Sequence, residues 1–360
     1  MGILRTILAL AVVVYHSYKI FGLHMCGGQV AVETFYIISG FYMALILNEK
    51  YIGVGSYKKF ILSRFFRIFP VYWTVLGFVL VVCIVGYFAF DKPFYLSRYI
   101  NNYQCLSGST ILYFMFENVI VLGQDVLYFL RLDELCQPIL TYNVLSYKHT
   151  GYQYLLVPQA WSISIEFMFY LIAPFIVTKK LKWQLALVVV GIAAKVFFDH
   201  YYYLGFDPWT YRFFPFELAF FVAGSLAYMF YKHIQNKGIS PLIGYVLLSL
   251  CVLGVFIIDD IKMDENLRNS LFYVLVLASI PYIFFSFKNN PIDRYIGELS
   301  FSLYIGHHVV VSVFRSYFFS NFKNLIYYGY TVVFCSLILA IILQSTIVKV
   351  VEGYRAKRFS

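Results

Sequence analysis

Residues 3–23 read ILRTILALAVVVYHSYKIFGL, an apolar run long enough to cross a bilayer as one helix, interrupted by Arg5 and His16. Eleven residues separate the two. At about 100° and 1.5 Å per residue their side chains return to nearly one helix face, roughly 16 Å apart along the axis. In a membrane span Arg5 falls near one water interface and His16 within the hydrocarbon, where an ionisable group is costly and marks a site by default. The plainer reading of the pair is a snorkelling arginine and a histidine bonded to a neighbouring helix.

The rest of the chain has the same character. It is 61% hydrophobic and only 13% charged, a balance outside the range of water-soluble domains of this length. Apolar runs of spanning length recur at 3–23, 30–47, 68–90, 160–178, 183–199, 212–231, 241–258, 270–287, 296–318 and 325–350. The fold class is therefore an all-α polytopic membrane bundle of about ten transmembrane helices. Three of the runs are short, which leaves nine or eleven open.

A net charge of +10 suggests nucleic acid, but the distribution of the charge excludes that partner. With the N-terminus in the cytoplasm, one side collects Lys50, Lys58, Lys59, Arg64, Arg67, Lys179, Lys180, Lys182, Lys232, Lys237, Lys288, Arg294, Arg355, Lys357 and Arg358. The opposite loops carry Asp133, Glu134, Asp259, Asp260, Asp264 and Glu265. This is the positive-inside pattern, and it puts both termini in the cytoplasm. The opening run lacks a small-x-small cleavage site and reads as a retained first span.

No pair of the six cysteines has CxxC spacing, so no metal site is expected. Cys83, Cys251 and Cys335 fall inside spans. Cys26, Cys105 and Cys136 fall on the outer side, where a Cys105–Cys136 disulfide is one option. There is no repeat and no stretch suited to a soluble domain, so residues 1–360 form one membrane domain with a long outer loop at about 91–159. Within that loop an apolar patch at 111–130, broken by Glu117, Asn118, Gly123, Gln124 and Asp125, reads as an interfacial or re-entrant helix. The loop is either a lid or acceptor platform, or a simple cover for the bundle.

Several polar residues stand out against this background. Arg64 and Arg67 share a helix face at the cytoplasmic end of the third span, a pairing suited to phosphate, and Arg5 lies at the same interface. Glu33 opens the second span from the outer side. Glu166, in Trp161-Ser162-Ile163-Ser164-Ile165-Glu166, lies about six residues into the fourth, close to the depth expected of His16. Either carboxylate could orient the imidazole; each also reads as a helix N-terminal acid favoured by the dipole. Ser300, Ser302, Tyr304, His307 and His308 bring hydroxyls and imidazoles toward mid-membrane, as cavity lining or as interhelical hydrogen-bonders. Arg212 is noted on the sixth span, with Phe220 and Gly224 assigned to packing.

In order along the chain these segments resemble the acyltransferase-3 family of bacterial integral-membrane acyltransferases, which includes O-acetylases of lipopolysaccharide O-antigen and other surface glycans. The resemblance covers nearly the whole chain. It rests on Arg5-x10-His16, Val32-Glu33-x-Phe35-Tyr36-x-x-Ser39-Gly40-Phe41, Arg64-x-x-Arg67-Ile68-x-Pro70-x-Tyr72-Trp73, Trp161-Ser162-x-x-x-Glu166-x-x-Phe169-Tyr170-x-x-x-Pro174, Phe220-x-x-x-Gly224 and Gly297-x-x-Ser300-x-x-x-Tyr304-x-x-His307. Glu33 stands where many members have Asp, and Tyr36 where many have Phe. The resemblance implies acetyl-CoA or a related acyl-CoA as donor, His16 as an essential residue, and an acceptor beyond the membrane. No hydrolase-like domain follows the tenth span, which argues against the fused two-domain type.

The expected mechanism places the CoA phosphates on Arg5, Arg64 and Arg67, with His16 as general base or acyl relay and Glu166 or Glu33 orienting it. Ser39, Trp161, Ser162, Tyr304 and His307 line the cavity in this reading. The expected partners are acyl-CoA, a glycan or lipid-linked glycan, and the bilayer. The alternatives are a glycan-lipid transporter or flippase that uses the same intramembrane polar groups, or a structural partner in an envelope assembly.

Overall fold

The computed structural model describes residues 1–321 and 325–359. The chain runs α1 (Gly2–His16), α2 (Gly27–Glu49), α3 (Ser56–Phe90), α4 (Ser97–Asn101), α5 (Gly108–Ile120), β1 (Leu130–Leu132) and β2 (Pro138–Leu140). It continues through α6 (Trp161–Ile176), α7 (Leu181–Tyr202), α8 (Phe214–Ile234), α9 (Pro241–Ile257), α10 (Glu265–Phe287), α11 (Pro291–Asn321), α12 (Leu325–Leu343) and α13 (Lys349–Phe359). A π-turn at Gln344–Val348 joins the last two into one continuous helix. Among the described residues nine helices are long and apolar enough to cross a membrane, and α1 is a shorter apolar helix. The protein is a polytopic helical membrane protein.

The first span is shorter than its hydropathy. The apolar run continues to Leu23, but α1 stops at His16, where the Ser17 hydroxyl and N–H both turn back onto the Val13 carbonyl. Phe21, Gly22 and Met25 then all take positive φ, which the interior of a right-handed helix does not accommodate. His16 therefore sits at the end of its helix, not two turns below it. The opposite deviation occurs in α3, whose 35 residues begin at Ser56, more than three turns ahead of the expected apolar run, and carry Arg64 and Arg67 on regular helix.

Packing is centred on α2, which lies against α1, α6, α8 and α10. Its approach to α8 depends on two missing side chains. A Cβ on Gly40 would overlap the Phe221 carbonyl, and one on Gly224 would overlap the Ile37 carbonyl. The two backbones thus meet directly, as small residues permit in membrane helices. Asp293 at the start of α11 accepts from the Gly2 and Ile3 N–H groups at 2.9 and 3.0 Å, and Thr6 donates to the Ile296 carbonyl at 2.6 Å. These bonds fix α1 to α11, which matters because each helix carries half of a histidine pair described below. By contrast α7 is clothed in exposed apolar side chains, with Gln184 its one buried residue, as a lipid-facing helix requires.

The outer loop is a packed cap. The helix expected near 111–130 is α5, which ends at Val121 and Gly123, both at positive φ. Trp73 and Tyr72 of α3 donate to the Val119 and Asn118 carbonyls and hold α5 down. The antiparallel β1–β2 pair and a Cys105–Cys136 disulfide, with Cα atoms 5.6 Å apart, close the rest. Cys26 is buried in the core.

Candidate active site

Three cavities lie in series through the bundle. The first, about 350 Å³, opens at the face that carries both chain termini. Its lining includes Arg5 of α1, Arg64 and Arg67 of α3, Lys288 and Arg294 at the α10–α11 turn, and Glu166 of α6. Arg5, Arg64 and Arg67 have no carboxylate within salt-bridge distance among the described residues, and Arg64 Nε is buried without a hydrogen-bond partner. Three converging guanidiniums with no ion-pair partner are suited to an anion. Lys288 and Arg294 add to it. In the sequence they are indistinguishable from topology-setting cations.

At the inner end of this cavity Glu166 Oε1 accepts from Ser39 Oγ at 2.7 Å and from Tyr170 OH at 2.5 Å. Next to them Ser162 Oγ and Tyr304 OH are 2.6 Å apart, and Tyr304 also donates to the Gln159 carbonyl at 3.1 Å. Tyr304 and Val32 are shared with the second cavity, a chamber of about 60 Å³ that contains His16. Trp161, Tyr211, Arg212 and His308 form its other walls. The third cavity, about 430 Å³, lies under the outer loop and shares Tyr128, Pro158, Arg212 and His308 with the chamber.

The protons on the histidines follow from their neighbours. A carbonyl oxygen only accepts, so His307 Nδ1, 2.6 Å from the Tyr304 carbonyl, carries the hydrogen. Its Nε2 then presents a lone pair 3.2 Å from His16 Nδ1, which is also 3.0 Å from the Val12 carbonyl. One hydrogen on His16 Nδ1 satisfies both acceptors. Neutral His16 therefore holds its own lone pair on Nε2, which has no hydrogen-bond partner among the described residues, and the residue lines the chamber. The His308 ring lies 4.8 Å from that of His16 and is bonded to Tyr95 OH through Nδ1 at 2.8 Å.

Of the cavity residues read from the sequence, Ser39, Trp161, Ser162 and Tyr304 line the cavities. His307 lines none of the three: it is fully buried and meets the His16 ring from 291 positions away. Glu166 is not at the imidazole: the depth comparison assumed seven further helical residues after His16, and those do not exist. Glu33 points elsewhere. On α2 the cavity face is Val32, Phe35, Tyr36 and Ser39, at i, i+3, i+4 and i+7, and Glu33, turned about 100° from Val32, binds Lys195 Nζ at 2.9 Å and Tyr273 OH. Lys195 also reaches Glu217 at 3.3 Å. Among the described residues no group of three or more His, Cys, Asp or Glu side chains is arranged to hold a metal ion.

This arrangement of a cationic cavity, a part-buried histidine and an outer cavity coincides with a match to known proteins. Residues 1–348 match the family model described as an acyltransferase domain, Acyl_transf_3. The chain belongs to this acyltransferase family. It is 24% identical over 355 residues to a candidate O-acetyltransferase of Staphylococcus aureus (strain COL), covering 88% of this chain and 51% of that protein. It is also 24% identical over 338 residues to the peptidoglycan O-acetyltransferase OatA of Listeria monocytogenes, covering 86% and 49%. The acyltransferase chain thus spans about half the length of the curated relatives it matches. No solved structure matches it.

Proposed function

We propose that this acyltransferase moves an acetyl group from cytoplasmic acetyl-CoA to a hydroxyl of an extracytoplasmic glycan, with His16 Nε2 as general base. The observation that carries the reading is the uncommitted His16 lone pair in a chamber between an unpaired cationic cavity on one side and an outer cavity on the other. The face with both termini collects the lysines and arginines and is assigned to the cytoplasm of a bacterial cytoplasmic membrane. There Arg5, Arg64 and Arg67, with Lys288 and Arg294 at the mouth, hold the donor's phosphates. The 16 Å or so from Arg5 to His16 is on the scale of an extended pantetheine arm. Ser39, Glu166 and Tyr170 shape the passage, and the Tyr304–Ser162 pair forms its inner gate.

His307 holds the His16 ring in the tautomer a base requires, the task first assigned to a carboxylate. Two neutral imidazoles in series avoid burying an additional charge. The acceptor enters the outer cavity, whose aromatic lining includes Tyr95 and Tyr152. A surface polysaccharide, lipopolysaccharide O-antigen among them, or its lipid-linked precursor fits this geometry, and the O-acetyltransferase names of the relatives support the acetyl group. Mass spectrometry of surface glycan from cells with wild type, His16→Ala or no protein tests the reading. An added acetyl mass with wild type alone is expected. Equal acetylation with His16→Ala would remove His16 from the chemistry.

A further inference from the structure

Arg212 is the junction between the chamber and the outer cavity, lining both. Its guanidinium is held on every edge but one. Nε donates to Asp207 Oδ1 at 2.6 Å, and Nη2 donates to Asp207 Oδ2 at 3.1 Å and to Tyr211 OH at 2.6 Å. The rings of Tyr128, Trp161 and Tyr211 pack on the plane, with centroids 4.1, 4.2 and 4.5 Å away. Nη1 is buried and has no hydrogen-bond partner.

A buried, immobilised N–H with nothing to donate to costs stability unless a ligand oxygen completes it. The other donors around His16 are mostly spent. Tyr304 OH donates to the Gln159 carbonyl, Gln159 Nε2 to the Ile305 carbonyl at 2.5 Å, and Tyr128 OH to the Pro158 carbonyl at 3.4 Å. Among the chamber's described lining residues, Arg212 is the one fixed cation.

We infer that Arg212 Nη1 receives the acyl carbonyl oxygen of the donor and stabilises it as negative charge develops. The inference rests on the acetyl-transfer reading above. In the step, His16 Nε2 takes the proton of the acceptor hydroxyl as its oxygen attacks the thioester carbonyl carbon. The carbonyl π pair moves onto the oxygen that Nη1 holds. Collapse of this intermediate reforms the C=O bond and breaks the C–S bond, and the proton on His16 Nε2 passes to the departing CoA sulfur, leaving the O-acetyl ester and free thiol. Asp207 and the three rings act as positioning groups. They fix the donor before reaction, the condition under which such a contact contributes most.

The test uses inside-out membrane vesicles from cells that carry the acceptor, with radiolabelled acetyl-CoA added outside, for wild type, Arg212→Lys, Arg212→Gln and Asp207→Asn. Protein amounts are matched and each variant's melting temperature is recorded. The maximal rate of Arg212→Gln is expected to fall about 100- to 1,000-fold with the KM for acetyl-CoA within about threefold. Arg212→Lys, which keeps the charge but not the fork, falls less, and Asp207→Asn lies between it and wild type. A rate for Arg212→Gln within about threefold of wild type, or a change confined to KM, overturns the inference and leaves the transfer reading standing. Losses in rate that track losses in melting temperature across the set assign Arg212 a structural role instead. An inactive wild type would overturn both readings.

Discussion

The two sides of α2 carry buried charge in opposite ways. On the cavity side Arg5, Arg64 and Arg67 converge with no carboxylate within salt-bridge distance among the described residues. On the far side Glu33, Glu217, Lys195 and Tyr273 form a cluster whose members bond each other, with Glu217 Oε2 left over. In a low-dielectric interior unpaired charge is tolerated where a ligand supplies the counter-ion, and paired charge where it joins helices. Charge alone does not mark a site; the absence of a protein partner does.

The contrast breaks most readily at Lys195. Lys195→Met leaves two neighbouring buried carboxylates without a cation and should cost about 4 kcal/mol of stability, measured as denaturant midpoint in detergent, with transfer per folded molecule unchanged. The double variant Arg64→Gln/Arg67→Gln should do the reverse. Loss of two charge-assisted phosphate bonds should raise the KM for acetyl-CoA about 100-fold, while the melting temperature stays level or rises as like charges are removed. Should both variants lose stability and keep donor affinity, the comparison fails.

A third case sharpens it. Glu117 on α5, in the outer loop, has one carboxylate oxygen buried without a partner. Burial, and then the nearby Asp125, push its carboxyl up from 4.5 to about 7. A raised carboxyl stabilises the fold fully below the unfolded value, and that contribution is lost as pH rises through the folded value. Between about pH 4.5 and 7 the loop should therefore lose about 2 kcal/mol, the full shift being reduced by solvent screening, read as faster amide exchange in α5, and Glu117→Gln should flatten the dependence. An identical pH profile in the variant would refute this. The smallest effect belongs to Glu33→Gln, which keeps a hydrogen-bonding group and should cost about 1 kcal/mol with transfer retained; a large loss of transfer at unchanged stability would return Glu33 to the site.

Much of this was legible in the chain because long apolar runs have a single outlet in a bilayer, and because Arg5-x10-His16 and Arg64-x-x-Arg67 obey helical spacing. The end of α1 was not. Ser17-Tyr18-Lys19-Ile20-Phe21 continues the hydropathy of the helix, and only its backbone angles reveal the break. That single boundary moved His16 away from Glu166. The histidine pair was also hidden, since His307 and His16 meet through a tertiary contact that no local pattern encodes. Arg212 was visible as a residue but not as a junction, because its partners Asp207, Tyr128 and Trp161 come from separate segments.

The central claim is that donor and acceptor approach His16 from opposite faces. Sealed vesicles of defined orientation, given labelled acetyl-CoA on the outside only, test it directly. The account predicts label on glycan inside the vesicle when the face with both termini points outward, none in right-side-out vesicles, and none with His16→Asn in either. Transfer from acetyl-CoA supplied to the outer-loop face, or label retained with His16→Asn, would contradict it.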